Sequence, residues 1–455
     1  MTEAAVPEGR MGWRAARGAG TEAAVPAAAD VRRVLQLAVA GLWLLDAVLQ
    51  FQPVMFSRAF GQMLAEAASG GPPAVASAVT WNASLVSQHS VALNALFATI
   101  QLLLGLGIAI RPTARLALGA SIAWALGVWV LGEGLGGVLT SAASPLTGAP
   151  GAALLYAVLA VLLWPADRPR EGLPASFTAA RAVGEPVARA AWLVLWLSLA
   201  YLALASGSRA PGALSRAIAD MGTGEPGWVA AIERGTASAF SGQGGLAGSV
   251  VLGVLLAAVA VGIFLPWPTV VKATLVLAML VALVTWVTGE AFGMIMAGGA
   301  TDPNSGPLLA LLAVAYWPLP EPGRPLPRGR GHCAPHVVHA AAMLYMVAAV
   351  LVRAGGSGRM SGMGGLGGAA AAGPALAYPT VAFALTVTCV AYCARDLDLL
   401  SARLRFTRGV VAAAVRGMPA AGDDGPVAGS LSPGVTVACR VVMGVTMAIM
   451  LVSMI

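Results

Sequence analysis

Charge is the scarcest commodity in this chain. Of its 455 residues only 10% are Asp, Glu, Lys or Arg, against about 25% in an ordinary soluble domain, so the composition cannot supply a water-facing shell. Lysine is nearly missing, with Lys272 alone beside the arginines. Cysteine is held to four residues, too few to build a secreted disulfide module. His-Glu-x-x-His, Gly-x-Ser-x-Gly, Cys-x-x-Cys and Gly-Lys-Ser/Thr do not occur, which removes soluble-style hydrolase and phosphate-loop chemistry. The remaining histidine of the first half, His89, stands alone.

What is present is apolar: 58% hydrophobic residues and a mean hydropathy of +0.80. The chain reads as an all-α polytopic membrane protein. Crossing a hydrocarbon core takes roughly 20 apolar residues per helix. Eleven runs qualify, at 34–52, 91–110, 115–132, 150–164, 188–206, 246–265, 269–288, 306–318, 336–353, 376–394 and 435–455. The fourth and eighth are short for a full crossing. Residues 1–30 lack an apolar core and read as a disordered cytoplasmic tail.

The net charge is +7, yet the arginines flank the apolar runs, which is the pattern of the positive-inside rule rather than of a nucleic-acid face. Applied to eleven crossings, that rule puts the N-terminus in the cytoplasm and the C-terminus outside. The preference for Arg over Lys resembles the coding bias of a GC-rich bacterium, hence a bacterial plasma membrane. Cys333, Cys393 and Cys439 then fall near cytoplasmic helix ends, with Cys389 one turn deeper. Cys389 and Cys393 read as packed small apolar residues rather than a redox couple.

The sequence repeats itself. Trp129-Val130-Leu131-Gly132-Glu133-Gly134-Leu135-Gly136 returns as Trp286-Val287-Thr288-Gly289-Glu290-Ala291-Phe292-Gly293. Each copy leads into a Pro/Gly loop and an apolar run closed by Trp-Pro, at Trp164-Pro165 and Trp317-Pro318. Upstream, Leu42-Trp43-Leu44 pairs with Leu195-Trp196-Leu197, and Ser57-Arg58-Ala59 with Ser215-Arg216-Ala217. Two parallel four-helix units are expected, at 31–165 and 188–318, each with a long outer loop after its first helix. Cytoplasmic linkers at 166–187 and 319–335 separate them from each other and from a three-helix unit at 336–455. Parallel repeats are related by an axis along the membrane normal, unlike inverted-repeat transporters.

A first helix, a long outer loop, then Leu103-Leu104-Gly105-Leu106-Gly107 running into Arg111-Pro112-Thr113-Ala114-Arg115 resembles the DoxX-like four-helix membrane family. The resemblance covers about 31–165 and, more faintly, 188–318. It implies quinone-linked or thiol-linked redox processes in bacterial membranes. The second copy departs from the pattern, with Pro266-Trp267-Pro268 replacing the basic turn.

Carboxylates at membrane depth are costly and mark candidate sites. Glu133 and Glu290 stand at the outer ends of their helices, with Arg58 and Arg216 in the same layer. Two readings stay open: an Arg-to-Glu clamp tying each outer loop to its bundle, or carboxylates lining an outward-facing pocket for a proton, a quinone headgroup or a cation. Asp46, inside the first run, has Leu199 as its counterpart and is the acid without a duplicate. The Gly/Pro loops after the two glutamates read as tight re-entrant turns.

The last unit is rich in His and Met, with nine of the 17 methionines. At about 100° per residue, His336, His339, Met343 and Met346 share an arc of roughly 80°, and Met443, Met447, Met450 and Met454 one of roughly 60°. Met360 and Met363 lie in the intervening outer loop. Thioether and imidazole ligands suit copper, so His336, His339, Met343, Met346, Met360, Met363, Met443, Met447 and Met450 are candidate metal ligands. The bland alternative is a helix interface packed with methionine. This unit also resembles an uncharacterised actinobacterial membrane domain with a His/Met-patterned first helix.

The expectation is therefore an integral membrane component with a redox-linked or copper-handling role. Copper stands ahead of quinone or haem as cofactor, and the lipid bilayer and other membrane proteins are the partners. The alternatives are a non-enzymatic scaffold or assembly subunit, or a small-solute transporter using Asp46. No nucleophile constellation supports an enzyme.

Overall fold

In the computed structural model the described residues are 30–165, 176–205, 210–319, 381–382, 384–396, 441–444, 446–447 and 450. Among them the regular structure is helical, and a lone bridge joins Phe177 to Pro318. Helix α1 (Val31–Leu49) begins where the Asp30 carboxylate accepts the Arg32 amide at 3.2 Å, an ordinary N-cap. It is followed by a hairpin of α2 (Arg58–Glu66) and α3 (Pro73–Gln88), then α4 (Ser90–Ala109), α5 (Ala114–Leu131) and α6 (Ala152–Leu162). A short α7 (Thr178–Val183) leads to α8 (Glu185–Leu204), a second hairpin of α9 (Ala213–Met221) and α10 (Gly227–Ala239), then α11 (Gln243–Gly262), α12 (Pro268–Thr288) and α13 (Ser305–Ala315). Proline stands in the first turn of α3, α8 and α12, where its missing N–H has no intrahelical partner to lose.

Helices α4, α5, α8, α11 and α12 are long and apolar enough to cross a membrane, consistent with a helical membrane protein. Helix α1 is of similar length, 19 residues, but carries Arg32, Arg33 and Asp46. Helices α6 and α13 have 11 residues each, about 17 Å at 1.5 Å per residue, roughly half a hydrocarbon core. Each follows a loop with a 3-10 turn, at Pro145–Thr147 and Ala291–Ala297. The stretches read from sequence as long outer loops are helical hairpins: Ser57 caps α2, and Pro73 and Pro226 punctuate the turns.

At the arginine-bearing end, side chains close helix C-termini. Arg33 donates to the Ile108 carbonyl at 2.9 Å and to that of Ala109, and Gln36 donates to the Leu163 carbonyl at 2.9 Å, satisfying the last acceptors of α4 and α6. Arg181 pairs with Asp30 at 3.2 Å, and Arg115 lies over the Trp164 ring.

One apolar core runs through both sets of helices, from Leu35, Val39 and Trp43 through Leu155 and Leu159 to Trp192, Trp196, Leu308 and Leu312. A second cluster joins Leu44, Leu45, Val48 and Leu49 of α1 to Ala382, Cys389, Val390, Ala394 and Met447. Cys389 and Cys393 are free and buried, in keeping with their reading as packing residues.

Candidate functional site

The first set of helices encloses a cavity of about 260 Å³ at the end opposite the arginines. Its position follows from α1. Trp43, Asp46 and Gln50 are spaced three and four residues apart and so share one helix face, and that face is turned inward. Trp43 stacks on Tyr156 of α6 with ring centroids 4.3 Å apart, and its Nε1 donates to the Ser121 hydroxyl at 2.9 Å. Phe60, Phe97 and Trp124 continue the wall in a chain of edge and tilted contacts. Gln101 of α4, Asn82 of α3, Glu133 and the loop residues Thr301 and Asp302 complete it.

Six polar atoms on this wall are buried without a well-formed protein hydrogen bond: Asp46 Oδ1 and the Tyr156 hydroxyl, which interact with each other, and Gln50 Oε1, Gln101 Oε1, Trp124 Nε1 and Glu133 Oε2. Buried polar groups are nearly always satisfied, so such a concentration around one cavity points to a polar occupant. Four of the six are acceptor oxygens of carboxylates and carboxamides. Among the described residues no Arg, Lys or His lines the cavity.

Glu133 lies just beyond α5. Its Oε1 accepts the Ala153 amide at 2.9 Å, at the N-terminus of α6, where the helix dipole favours a carboxylate. Glu290 does the same for α13, accepting the Gly306 amide at 3.1 Å and the Ser305 hydroxyl. Trp129 and Trp286 each donate Nε1 to a loop proline carbonyl, Pro150 at 2.9 Å and Pro303 at 2.8 Å. Arg58 and Arg216 are exposed on their hairpins. Among the described residues neither forms an ion pair with Glu133 or Glu290, so the Arg-to-Glu clamp is not formed. The reason is local: amides at the start of the next helix already satisfy the carboxylates, and a guanidinium in water gains little by leaving it.

The two carboxylates also differ. Glu290 is fully buried and bonded through both oxygens, whereas Glu133 Oε2 is left facing the cavity. Burial pushes the Glu133 carboxyl up to about 8, with the Asp302 charge adding to the effect and the α6 amides opposing it. Asp302 is itself raised by burial, against hydrogen bonds from the Thr301 hydroxyl at 2.8 Å and the Asn304 amide at 2.8 Å.

A second cavity of about 300 Å³ lies between the two re-entrant loops, lined by Gly136, Thr147, Gly148 and Gly151 from one side and Gly293, Gly299 and Asn304 from the other. Glu133, Thr301 and Asp302 belong to both cavities. The loops themselves contain matched left-handed runs: Gly134, Leu135, Gly136 and Gly137 in one, Ala291, Phe292, Gly293 and Met294 in the other. Gly136 is obligatory, since a Cβ there would meet the Pro150 carbonyl oxygen at 1.8 Å. The second run has three non-glycine residues in a conformation that costs L-residues roughly 1–2 kcal/mol each. Two carboxylates from the outer hairpin hold it: Glu233 accepts the Ala291 amide at 3.2 Å and Glu225 the Ala297 amide at 3.0 Å.

Sequence reasoning singled out Asp46 and Glu133, and the structure brings them onto one cavity. It did not find Gln50, Gln101, Tyr156 or Asp302. Gln50 and Gln101 carried a signal, as carboxamides in apolar runs. Asp302 carried none, because it arrives from a loop 256 positions after Asp46 in the chain.

Of the copper candidates, Met443, Met447 and Met450 are among the described residues. His336, His339, Met343, Met346, Met360 and Met363 lie outside the described residues. Met447 is 5% exposed and packs on α1, whereas Met443 and Met450 are 43% and 51% exposed. Among the described residues no three His, Cys, Asp or Glu side chains converge as metal ligands do.

Compared with known proteins, residues 291–454 match the family described as Domain of unknown function (DUF5134). The match begins in the left-handed loop after α12, takes in Asp302 and α13, and runs through the His/Met-rich unit. It does not reach residues 31–165. No curated protein and no solved structure matches the chain.

Proposed function

We propose that the protein binds a small organic cation in the cavity of its first helical set and handles it as a membrane transporter, with Asp46 as the principal counter-charge. What carries this reading is the set of six buried polar atoms without a well-formed protein hydrogen bond, on a wall that holds carboxylates and, among the described residues, no basic side chain. An ammonium group supplies the missing donors and offsets the acid charge. The rings of Trp43, Trp124, Phe97 and Tyr156 offer the faces that attract a cation. A volume near 260 Å³ suits a ligand smaller than a typical drug. Nothing among the described methionines favours copper in the same way.

In this reading the chain comprises two DoxX-like units, 31–165 and 188–318, related as parallel repeats. A His/Met-rich unit and eleven spans in all complete it, in a bacterial plasma membrane with the N-terminus inside. The cavity then opens on the outer side. The recurrence of the Trp-to-Pro-carbonyl and Glu-to-helix-amide bonds supports the repeat.

Calorimetry on the detergent-purified full chain tests the function. Benzylammonium should bind at pH 7, its neutral isostere benzyl alcohol should not, and Asp46→Asn should remove binding. Equal affinity for the two probes would refute a cation site, and tighter binding of trimethylhydroquinone would return the protein to the quinone-linked reading.

A further inference from the structure

Glu133 stands between the two cavities. Its Oε1 is fixed by the Ala153 amide, and its enclosed Oε2 has no protein partner. Asp302, from the loop before α13, shares both cavity walls with it and acts on it as a like charge. Among the described residues the other ionisable groups on the inner cavity are Asp46 from α1 and Tyr156 from α6. Helices α2, α3, α4 and α5 contribute Leu64, Asn82, Gln101 and Trp124, all uncharged. Two carboxyl groups that share both cavity walls, with no basic side chain among the described residues there, cannot both ionise readily in a low-dielectric site, and they titrate as a pair.

We infer that the Glu133–Asp302 pair is a proton-exchange site: a cation reaching the inner cavity through the outer one displaces a proton held by the pair, so the two cations bind in exclusion. The step balances simply. The protonated carboxyl gives its proton to water in the outer cavity, and the arriving ammonium becomes the counter-ion of the carboxylate. No bond other than O–H is broken. The inference rests on the cation-binding reading above and adds what that reading leaves open, the coupling that would drive transport. The contribution of Asp302 from the other helical set makes the exchange a property of both sets together.

Two measurements separate this exchange from the binding itself. Infrared titration of the ligand-free protein should show a protonated-carboxyl band that disappears with a midpoint at about 8. Glu290 is raised to about 8 as well, so the component of the band lost in Glu133→Gln is the one that belongs to the pair, and its midpoint should fall by about one pH unit in Asp302→Asn. Glutamine keeps the acceptor that the α6 amide needs, so that variant retains its helix cap. Calorimetry with benzylammonium in buffers of different ionisation enthalpy should then report release of about one proton per cation bound near pH 7, lost in Glu133→Gln. Binding without proton release overturns the exchange and leaves the cation site standing. A titrating band with no benzylammonium binding overturns both the site and the exchange. A band whose midpoint is the same in Asp302→Asn removes Asp302 from the pair.

Discussion

The two helical sets share an order of elements and differ in what they enclose. Counted from Trp43 and Trp196, Asp46 corresponds to Leu199 and Gln50 to Ala203. From the starts of α4 and α11, Gln101 corresponds to Val254. From Trp129 and Trp286, Trp124 corresponds to Val281. From the starts of α6 and α13, Tyr156 corresponds to Leu309. The wall positions held by Asp46, Gln50, Gln101, Trp124 and Tyr156 in the first set are apolar in the second, where Leu199 and Leu309 join the buried core. The shared residues, Glu133/Glu290 and Trp129/Trp286, bind backbone and hold the loops. Architecture is thus carried by what is common, and the cavity chemistry by what is not. The lesson extends to the loops, where glycine relieves the left-handed run of one set and a pair of glutamates stabilises that of the other.

The comparison can be broken most forcefully at Asp46. Asp46→Leu, which gives the first set the second set's residue, should weaken benzylammonium binding by two to three orders of magnitude, roughly 3–4 kcal/mol, and should raise the melting temperature by removing a buried carboxylate oxygen without a well-formed hydrogen bond. Calorimetry and thermal melts read both, and undiminished binding would separate Asp46 from the site. The reverse exchange, Leu199→Asp, places an acid in the apolar core beside Trp196, whose Nε1 is the one unpartnered donor close to it in sequence. It should destabilise the fold by about 2.5–3.5 kcal/mol, and a neutral result would mean the second set hides a polar cavity after all.

The methionines sharpen a second contrast. Met447→Ala removes a buried side chain and should cost about 2 kcal/mol, while Met443→Ala and Met450→Ala on the exposed side should stay within about 0.5 kcal/mol. Equal losses in all three, matched by loss of bound copper, would revive the metal reading. In the loops, Met294→Gly supplies the residue found at 137 and should stabilise by about 1 kcal/mol, since glycine adopts the left-handed conformation without strain; urea unfolding in detergent would show no gain if the strain were absent.

The smallest effect expected is on pH. Burial raises Glu225 and Glu233 to about 7 each, with Glu233 adding to the shift at Glu225. A carboxyl whose pKa rises on folding holds its proton more tightly when folded. Its contribution is therefore complete below the unfolded value near 4.5 and is lost as pH climbs to about 7. Amide hydrogen exchange at Ala291 and Ala297 should accelerate across that window beyond the ordinary base-catalysed rise, and the excess should vanish in Glu225→Gln/Glu233→Gln. An unchanged excess in the double variant would remove these carboxylates from the clasp.

Much of the fold was legible because apolar length is a one-dimensional property. The runs at 91–110, 115–132 and 269–288 fall within one residue of α4, α5 and α12, and the short runs at 150–164 and 306–318 became the 11-residue helices α6 and α13. The hairpins α2–α3 and α9–α10 escaped, since their helices are too short or too polar to register as apolar runs and sit among Gly and Pro that read as loop. Of the site, Asp46 and Glu133 were visible as acids in or beside apolar runs. Gln101 was visible by the same logic and went unread.

By itself the sequence determined that several segments are long and apolar enough to cross a membrane, roughly where those helices lie, and that one acid in the first set has no duplicate. These follow from composition, punctuation and spacing along the chain. Only the tertiary structure decided that Asp46, Gln101, Tyr156 and Asp302 meet on one cavity, that Glu133 binds helix amides rather than Arg58, and that Met447 turns inward while Met443 and Met450 do not. Those facts depend on how helices rotate about their axes and how a loop from one set reaches the other, and a rotation or a reach is fixed by packing against partners far away in sequence.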